Sequence, residues 1–253
     1  MNKDLDIKIL DTPNNKIDAI FEELTESFNS DKTLSLKFRK TQLNNLQKGI
    51  DKYQEEILEA LRIDLGLNAI SGFLGGIQAL KTEIVHTIKH LDEWCAVENR
   101  KTPLLLSPAK SYVKPQARGV ILVIASWNYP FATISPIINA IAAGNCVIMK
   151  PSEVSAASST IFKKICEEFL DTRFYRCVEG SIATSDKLCS LPLNLICFTG
   201  STYVGKIVAK LASANLTPCI LELGGKCTTI VDETANLDLA AKRIVSNKFI
   251  NCG

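Results

Sequence analysis

A chain of 253 residues can form one large domain or two small ones, and 46% apolar with 22% charged residues is an ordinary globular composition. A formal net charge of +2 gives no electrostatic reason to expect nucleic acid or an anionic membrane as a partner. No run approaches the ~18 uninterrupted apolar residues of a membrane-spanning helix, and the N-terminal Met-Asn-Lys-Asp-Leu-Asp has no apolar core, so no secretory signal is expected. The nine cysteines form no C-x-x-C pair and there are two histidines, which argues against a zinc site. Cys146, Cys197 and Cys219 sit inside apolar runs, where a thiol behaves as a small hydrophobe. An odd, scattered set of thiols suggests a reducing, cytoplasmic compartment.

Residues 1–16 are polar and aperiodic and read as a loose leader. Ile17, Ile20, Phe21, Leu24 and Phe28 recur every three to four positions and predict an amphipathic helix over 17–28. Leu43, Leu46, Ile50, Tyr53, Ile57, Leu61 and Leu65 form one stripe of a second helix, with Thr41 as its N-cap and Gly66 as its stop. A third helix is expected over 71–99. His86 and His90 on it have a metal-chelating spacing, but no third ligand is evident and a solvent-exposed pair is expected. Residues 104–113 hold two β-like runs around Ser107-Pro108-Ala109-Lys110.

From Gly119 the rhythm changes. The unbroken apolar run 120–125 is that of a parallel strand covered on both faces. Helix 134–143, strand 146–149, helix 156–169, strand 175–178, a short helix near 185–189, strand 195–198, helix 204–214, strands 219–223 and 228–231, and helix 237–249 follow. Alternating strands and helices predict an α/β fold: a doubly wound, Rossmann-like, mostly parallel sheet, preceded by an N-terminal helical region and a β arm, with ligands at the C-terminal strand ends. The expected divisions are a leader (1–16), the helical region with its arm (17–118) and a dinucleotide-binding unit (119–253), the boundary being soft between 100 and 118.

Four motifs fall at predicted strand ends. In Leu221-Glu222-Leu223-Gly224-Gly225-Lys226 a carboxylate stands where an apolar strand breaks into two glycines. Two glycines permit positive φ and close approach of a flat ligand, and a half-buried Glu can act as a base. By itself the segment is equally a surface loop with a solvated Glu. Phe198-Thr199-Gly200-Ser201-Thr202-Tyr203-Val204-Gly205 joins a strand to a helix, whose free N–H groups suit a pyrophosphate. Its glycine spacing is not G-x-G-x-x-G, and a plain turn capped by Ser201 or Thr202 is the alternative. In Lys150-Pro151-Ser152-Glu153 the Lys can donate to ribose hydroxyls and the Glu can accept from them; an exposed ion pair is the alternative. In Trp127-Asn128-Tyr129-Pro130 the Asn amide can donate to a developing oxyanion or simply satisfy a local turn.

Together with Ala-Ile-Ala-Ala-Gly-Asn, Leu-Thr-Pro and Lys-Phe-Ile-Asn, these motifs make residues 17–253 resemble an aldehyde dehydrogenase, most closely the class-three or fatty-aldehyde branch. The resemblance implies NAD-dependent oxidation of an aldehyde to a carboxylic acid, with NADP as a possible second cofactor. A medium- or long-chain aliphatic or aromatic aldehyde would be the substrate. It implies that Glu222 is the general base and Asn128 half of an oxyanion hole. Trp127, Lys150, Ser152, Glu153, Gly200, Ser201, Val204, Gly205, Leu223 and Gly224 would bind cofactor, and no metal is involved. Glu153 at the ribose would repel a 2′-phosphate and tilt the choice toward NAD. Lys226 would face solvent and Cys227 would be structural. The resemblance further implies a homodimer for the full-length form, an arm that pairs with a C-terminal strand, and membrane attachment only through a C-terminal anchor that this sequence lacks. In the family the segment like 248–253 continues into Gln-x-Cys, whose Cys is the nucleophile. The sequence stops three residues before it, so a catalytic domain is expected to be absent and the fragment inactive by itself. Cys252 would be a tail thiol rather than a substitute. The alternative is a non-catalytic nucleotide-binding or dimer-forming remnant.

Overall fold

The computed structural model describes residues 9–251; Cys252 and the first eight residues of the expected leader lie outside them. Helix α1 spans Asn14–Asn29, starting inside that leader because the Pro13 carbonyl accepts from the Lys16 and Ile17 N–H groups at 2.9 and 3.0 Å. Its buried face is Ile17, Ile20 and Leu24. Helix α2 spans Leu36–Lys52. It begins earlier than Thr41 because the Ser35 hydroxyl accepts from the Phe38 N–H at 3.3 Å, and that N-cap sets its start. Tyr53 interrupts the expected single helix, and α3 follows over Gln54–Leu65. Gly66, at φ +68°, ends α3 in the left-handed conformation glycine adopts without strain.

The third expected helix is three pieces: α4 (Ala69–Gly72), a π-helical turn (Phe73–Gln78) and α5 (Ala79–Trp94). It ends short of residue 99 because β1 (Glu98–Arg100) pairs antiparallel with β2 (Ser111–Val113). The run at 104–106 is therefore not a strand. Leu104–Leu106 forms a 3-10 turn at the tip of the arm, with Leu104 and Leu105 almost fully exposed.

The central sheet contains β3 (Val120–Ile124), β4 (Cys146–Lys150), β5 (Tyr175–Cys177), β6 (Leu195–Gly200) and β7 (Cys219–Leu223). All pairings are parallel, in the order β5-β4-β3-β6-β7. The chain moves outward from β3 through β4 to β5, then returns to the other side of β3. That reversal opens a crevice at the C-terminal ends of β3 and β6, where ligands of doubly wound sheets bind. Helices α6 (Pro136–Ala142) and α7 (Ala156–Phe169), backed by α2 and α3, pack on one side. Helices α8 (Ile182–Cys189) and α9 (Thr202–Ser213) pack with α1 on the other.

Every residue of β3 and β4 is buried, as an apolar run covered on both faces requires. The helical region shares this core: Ile17, Leu43, Ile57 and Ile84 belong to the same contiguous cluster as Leu122 and Ile148. Arg39 ties the layers together. Its guanidinium donates to the carbonyls of Thr33 (2.6 Å), Leu34 (3.1 Å) and Ala142 (3.0 Å).

The expected strand at 228–231 does not form. Among the described residues the segment pairs with no strand, the free edge of β7 included, and Ile230 stands 88% exposed. Helix α10 (Leu237–Lys248) does form, with Asn236 Oδ1 accepting from the Leu239 N–H at 3.0 Å, but it buries no residue.

Candidate active site

A cleft of about 870 Å³ opens where β3, β4, β6 and β7 end. Eleven of the twelve side chains singled out from the sequence line it; Gly205 is the exception. Gly205 is buried beneath the wall, where a Cβ would stand 2.6 Å from Leu223 Cδ2, so it serves the close packing of α9 on β7.

At the end of β3 the turn is closed by Thr133, whose hydroxyl accepts from the Ser126 N–H at 3.1 Å. The Ser126 hydroxyl donates to Asn128 Oδ1 at 2.7 Å. This engages the oxygen of the Asn128 amide; among the described residues nothing accepts from its Nδ2. An exposed amide held by its oxygen presents two N–H donors to the cleft. Asn251 Nδ2 donates to the Asn128 carbonyl at 3.0 Å, tying the far end of the described chain to this turn.

At the end of β4, Lys150 is 2% exposed and its ammonium donates to Glu153 Oε2 at 2.6 Å; Glu153 is about one-third exposed. The exposed-pair alternative therefore fails for Lys150: the cation is embedded in the cleft floor, with one edge of its partner in water. Ser152 is buried, and its hydroxyl accepts from the Val154 N–H at 3.3 Å, which shapes the turn.

At the end of β6 the Ser201 hydroxyl accepts from the Val204 N–H at 3.2 Å and caps α9. The capping and anion-binding readings are compatible: Ser201 satisfies one N–H, a helix N-terminus has further N–H groups without a helix partner, and Ser201, Tyr203 and Val204 of this one line the cleft.

Three expectations about β7 and the turn that follows it are corrected. Glu222 pairs in register with Thr199 and lines the cleft, but it is exposed rather than half-buried: β7 is the edge strand of the sheet among the described residues. Gly224 and Gly225 do not take positive φ. Cys227 does, at +49°, and it is exposed rather than structural. A Cβ on either glycine would meet nothing within 4 Å, so what they leave is open space. Lys226 is exposed as expected.

The sequence reading missed one wall. Helix α8 contributes Ile182, Ser185, Asp186 and Cys189, facing Tyr203, Val204 and Ile207 of α9 across the cleft. No motif marks α8. The one available signal was an apolar Ile182 at a helix start, and it is 71% exposed. Burial pushes the Cys189 thiol up to about 12. Next to Asn128 a smaller recess of about 90 Å³ is lined mainly by Leu61, Leu65, Leu67, Leu74, Tyr129 and Ile250. Its roof is the π-helical turn. Gly72 at the end of α4 and Gly76 within the turn pack tightly on leucines of α3, whereas a Cβ on Gly75 would meet only Tyr129, at 3.9 Å. His90 stacks on Trp94 and His86 lies tilted against both rings, and no metal-binding cluster occurs among the described residues. No described helix is long and apolar enough to cross a membrane.

Residues 6–253 match the model of the aldehyde dehydrogenase family. The chain is 42% identical over 240 residues to 4,4'-diaponeurosporen-aldehyde dehydrogenase of Staphylococcus aureus, covering 94% of this chain and 52% of that one. It is 40% identical to the dimeric NADP-preferring aldehyde dehydrogenase of Rattus norvegicus, covering 90% and 51%. The structure of the substrate-bound state of Staphylococcus aureus AldH superposes with a TM-score of 0.91 at 42% identity, over 94% of this chain and 52% of that one. The chain spans about half the length of the curated relatives it matches.

Proposed function

The chain belongs to the aldehyde dehydrogenase family, and from that membership we propose that it supplies the cofactor cleft and two catalytic groups of an NAD(P)-dependent enzyme that oxidises an aldehyde to a carboxylic acid. The observation that carries this reading is convergence: an amide with free donors (Asn128), a buried ammonium (Lys150), a capped helix N-terminus (α9) and a carboxylate (Glu222) line one cleft. In this proposal residues 119–253 are the dinucleotide-binding unit and 17–118 the helical region with its arm.

The cleft's chemistry fits a dinucleotide. Lys150 and Glu153 would hold the adenosine ribose, and the N–H groups of the α9 first turn the pyrophosphate. The apolar walls offered by Ile182, Val204 and Ile207 suit a base. The Glu153 carboxylate disfavours a 2′-phosphate, so NAD is the proposed cofactor; NADP stays open because a relative's name calls it NADP-preferring. A nicotinamide accepts hydride from the substrate. Asn128 Nδ2 would donate to the substrate oxygen as negative charge develops there, and Glu222 would take a proton from the attacking water. A thiolate nucleophile is also needed. Cys189, the thiol lining the cleft, is buried and too weakly acidic to serve. The leucine-lined recess beside Asn128 supports a medium- or long-chain aliphatic or aromatic aldehyde. The exposed Leu104–Leu106 tip supports a homodimer, which we place in the cytoplasm.

Calorimetric titration with NAD tests the reading. Saturable binding that weakens in Lys150→Met is expected, and no binding by the folded chain overturns it.

A further inference from the structure

Asp11 and Thr12 precede α1, in the stretch whose sequence reads as a loose leader, yet five hydrogen bonds tie them to the loop between β5 and α8 and to the first turn of α8. Asp11 Oδ1 accepts from the Ser181 backbone N–H at 2.6 Å and from the Thr184 hydroxyl at 2.7 Å. Asp11 Oδ2 accepts from the Ser181 hydroxyl at 3.0 Å. Thr12 donates its N–H and its hydroxyl to the Glu179 carbonyl, at 3.2 and 2.7 Å. The Glu179 carboxylate is itself held by the Ser159 hydroxyl (2.8 Å) and the Lys163 ammonium (3.0 Å).

These bonds act on the element that forms one wall of the cleft. Helix α8 has eight residues, and a helix of two turns has little stability of its own. Its C-terminal end is anchored by buried Leu188 and Cys189 and by Asn215 Nδ2, which donates to the Ser190 carbonyl at 2.9 Å. Its N-terminal turn has Ile182 and Ala183 in solvent, with Thr184 the one buried side chain there. That turn is fixed chiefly through Ser181 and Thr184, and both donate to Asp11.

We infer that Asp11 is a positioning residue of the nucleotide cleft: its carboxylate fixes the first turn of α8, and so the wall against which an adenosine moiety seats. The inference rests on the cofactor reading above. Asp11 does not line the cleft and acts through α8.

The test compares the full chain with Asp11→Ala, Asp11→Asn and a control, Asp171→Ala. Asp171 accepts three hydrogen bonds from Arg173 in the loop before β5, at the opposite end of the sheet. Amide exchange over 181–189 and calorimetric titration with adenosine monophosphate and with nicotinamide mononucleotide are the readouts. Asp11→Ala is expected to speed exchange over 181–189 and weaken adenosine monophosphate roughly tenfold, the order expected from losing carboxylate hydrogen bonds that orient a site. Nicotinamide mononucleotide affinity should hold, Asp11→Asn should recover part of the loss through its Oδ1, and Asp171→Ala should leave both affinities alone. Wild-type binding with unaltered adenosine monophosphate affinity in Asp11→Ala overturns the inference. So does an equal loss for both ligands that Asp171→Ala reproduces. A wild-type chain that binds neither nucleotide instead sinks the cofactor reading, and the inference falls with it.

Discussion

Removing Glu153 should destabilise the chain more than removing Lys150, although the two form one ion pair. The Lys150 ammonium is 2% exposed, and among the described residues Glu153 is its one salt-bridge partner, at 2.6 Å. Glu153→Ala strands a cation in the cleft floor. Breaking a buried pair this way costs about 3–5 kcal/mol; Glu153 is a third exposed, so water entering from the cleft reduces the figure to roughly 2 kcal/mol. Lys150→Met keeps the packed stem and leaves a carboxylate that water already reaches, so its cost is about 0–1 kcal/mol. With a urea slope of about 2.5 kcal/mol per molar, the midpoints of the two variants should differ by roughly 0.6 M. The double variant should resemble Lys150→Met, because the stranded cation is gone. Urea unfolding followed by circular dichroism measures all four chains. Equal midpoints, or Lys150→Met the less stable, would refute the reasoning and mean that Lys150 finds another counter-charge.

Asn145→Ala should cost about 2–3 kcal/mol in the same assay, because Asn145 Oδ1 accepts from the Arg118 and Gly119 N–H groups at 2.7 and 3.1 Å and a buried donor would be orphaned; a loss below ~0.5 kcal/mol would contradict this. Arg39→Met should cost about 3 kcal/mol through the carbonyls of Thr33, Leu34 and Ala142, and an unchanged midpoint would show that the layers hold without it. Burial pushes the Cys146 and Cys189 thiols up to about 12. Their folded values lie above the unfolded one, so their contribution is complete below the ordinary thiol value of ~8.5 and is lost as pH rises toward the folded value. Urea midpoints should therefore fall between about pH 9 and 11, less steeply in Cys146→Ala referenced to its own value at neutral pH, and native alkylation at pH 8 should label Cys227 while sparing Cys146 and Cys189. The Asp11 carboxyl is held below the usual aspartate range, first by the Ser181 backbone N–H and then by the Thr184 and Ser181 hydroxyls. Its folded value is depressed, so the strap is complete above the ordinary aspartate value and is lost as pH falls through the lower one; exchange over 181–189 that accelerated already near neutral pH would contradict this.

Much of the fold was legible because its causes are local. The stripe from Leu43 to Leu65 marks a buried helical face whether or not Tyr53 interrupts it. The unbroken run 120–125, set among alternating strand and helix signals, is what a strand covered on both sides requires, and Ser201, three residues before Val204, caps a helix by its own reach. Motifs at strand ends follow from the same alternation, which is why eleven of twelve proposed side chains fall in one cleft. Errors of boundary were also local: Ser35 and Pro13 set helix starts that apolar periodicity does not register.

What tertiary structure alone decided concerns edges and distant partners. Residues 228–231 carry strand-forming side chains but pair with no strand among the described residues, and the open edge at β7 leaves Glu222 in solvent. The wall built by α8 carries no signature, and its strap joins Asp11 to Ser181 and Thr184 across some 170 residues. Periodicity and capping are interactions between near neighbours, so the order of residues contains them. Burial, sheet edges and long-range hydrogen bonds depend on which surfaces meet once the layers have packed, and no window of sequence holds both surfaces.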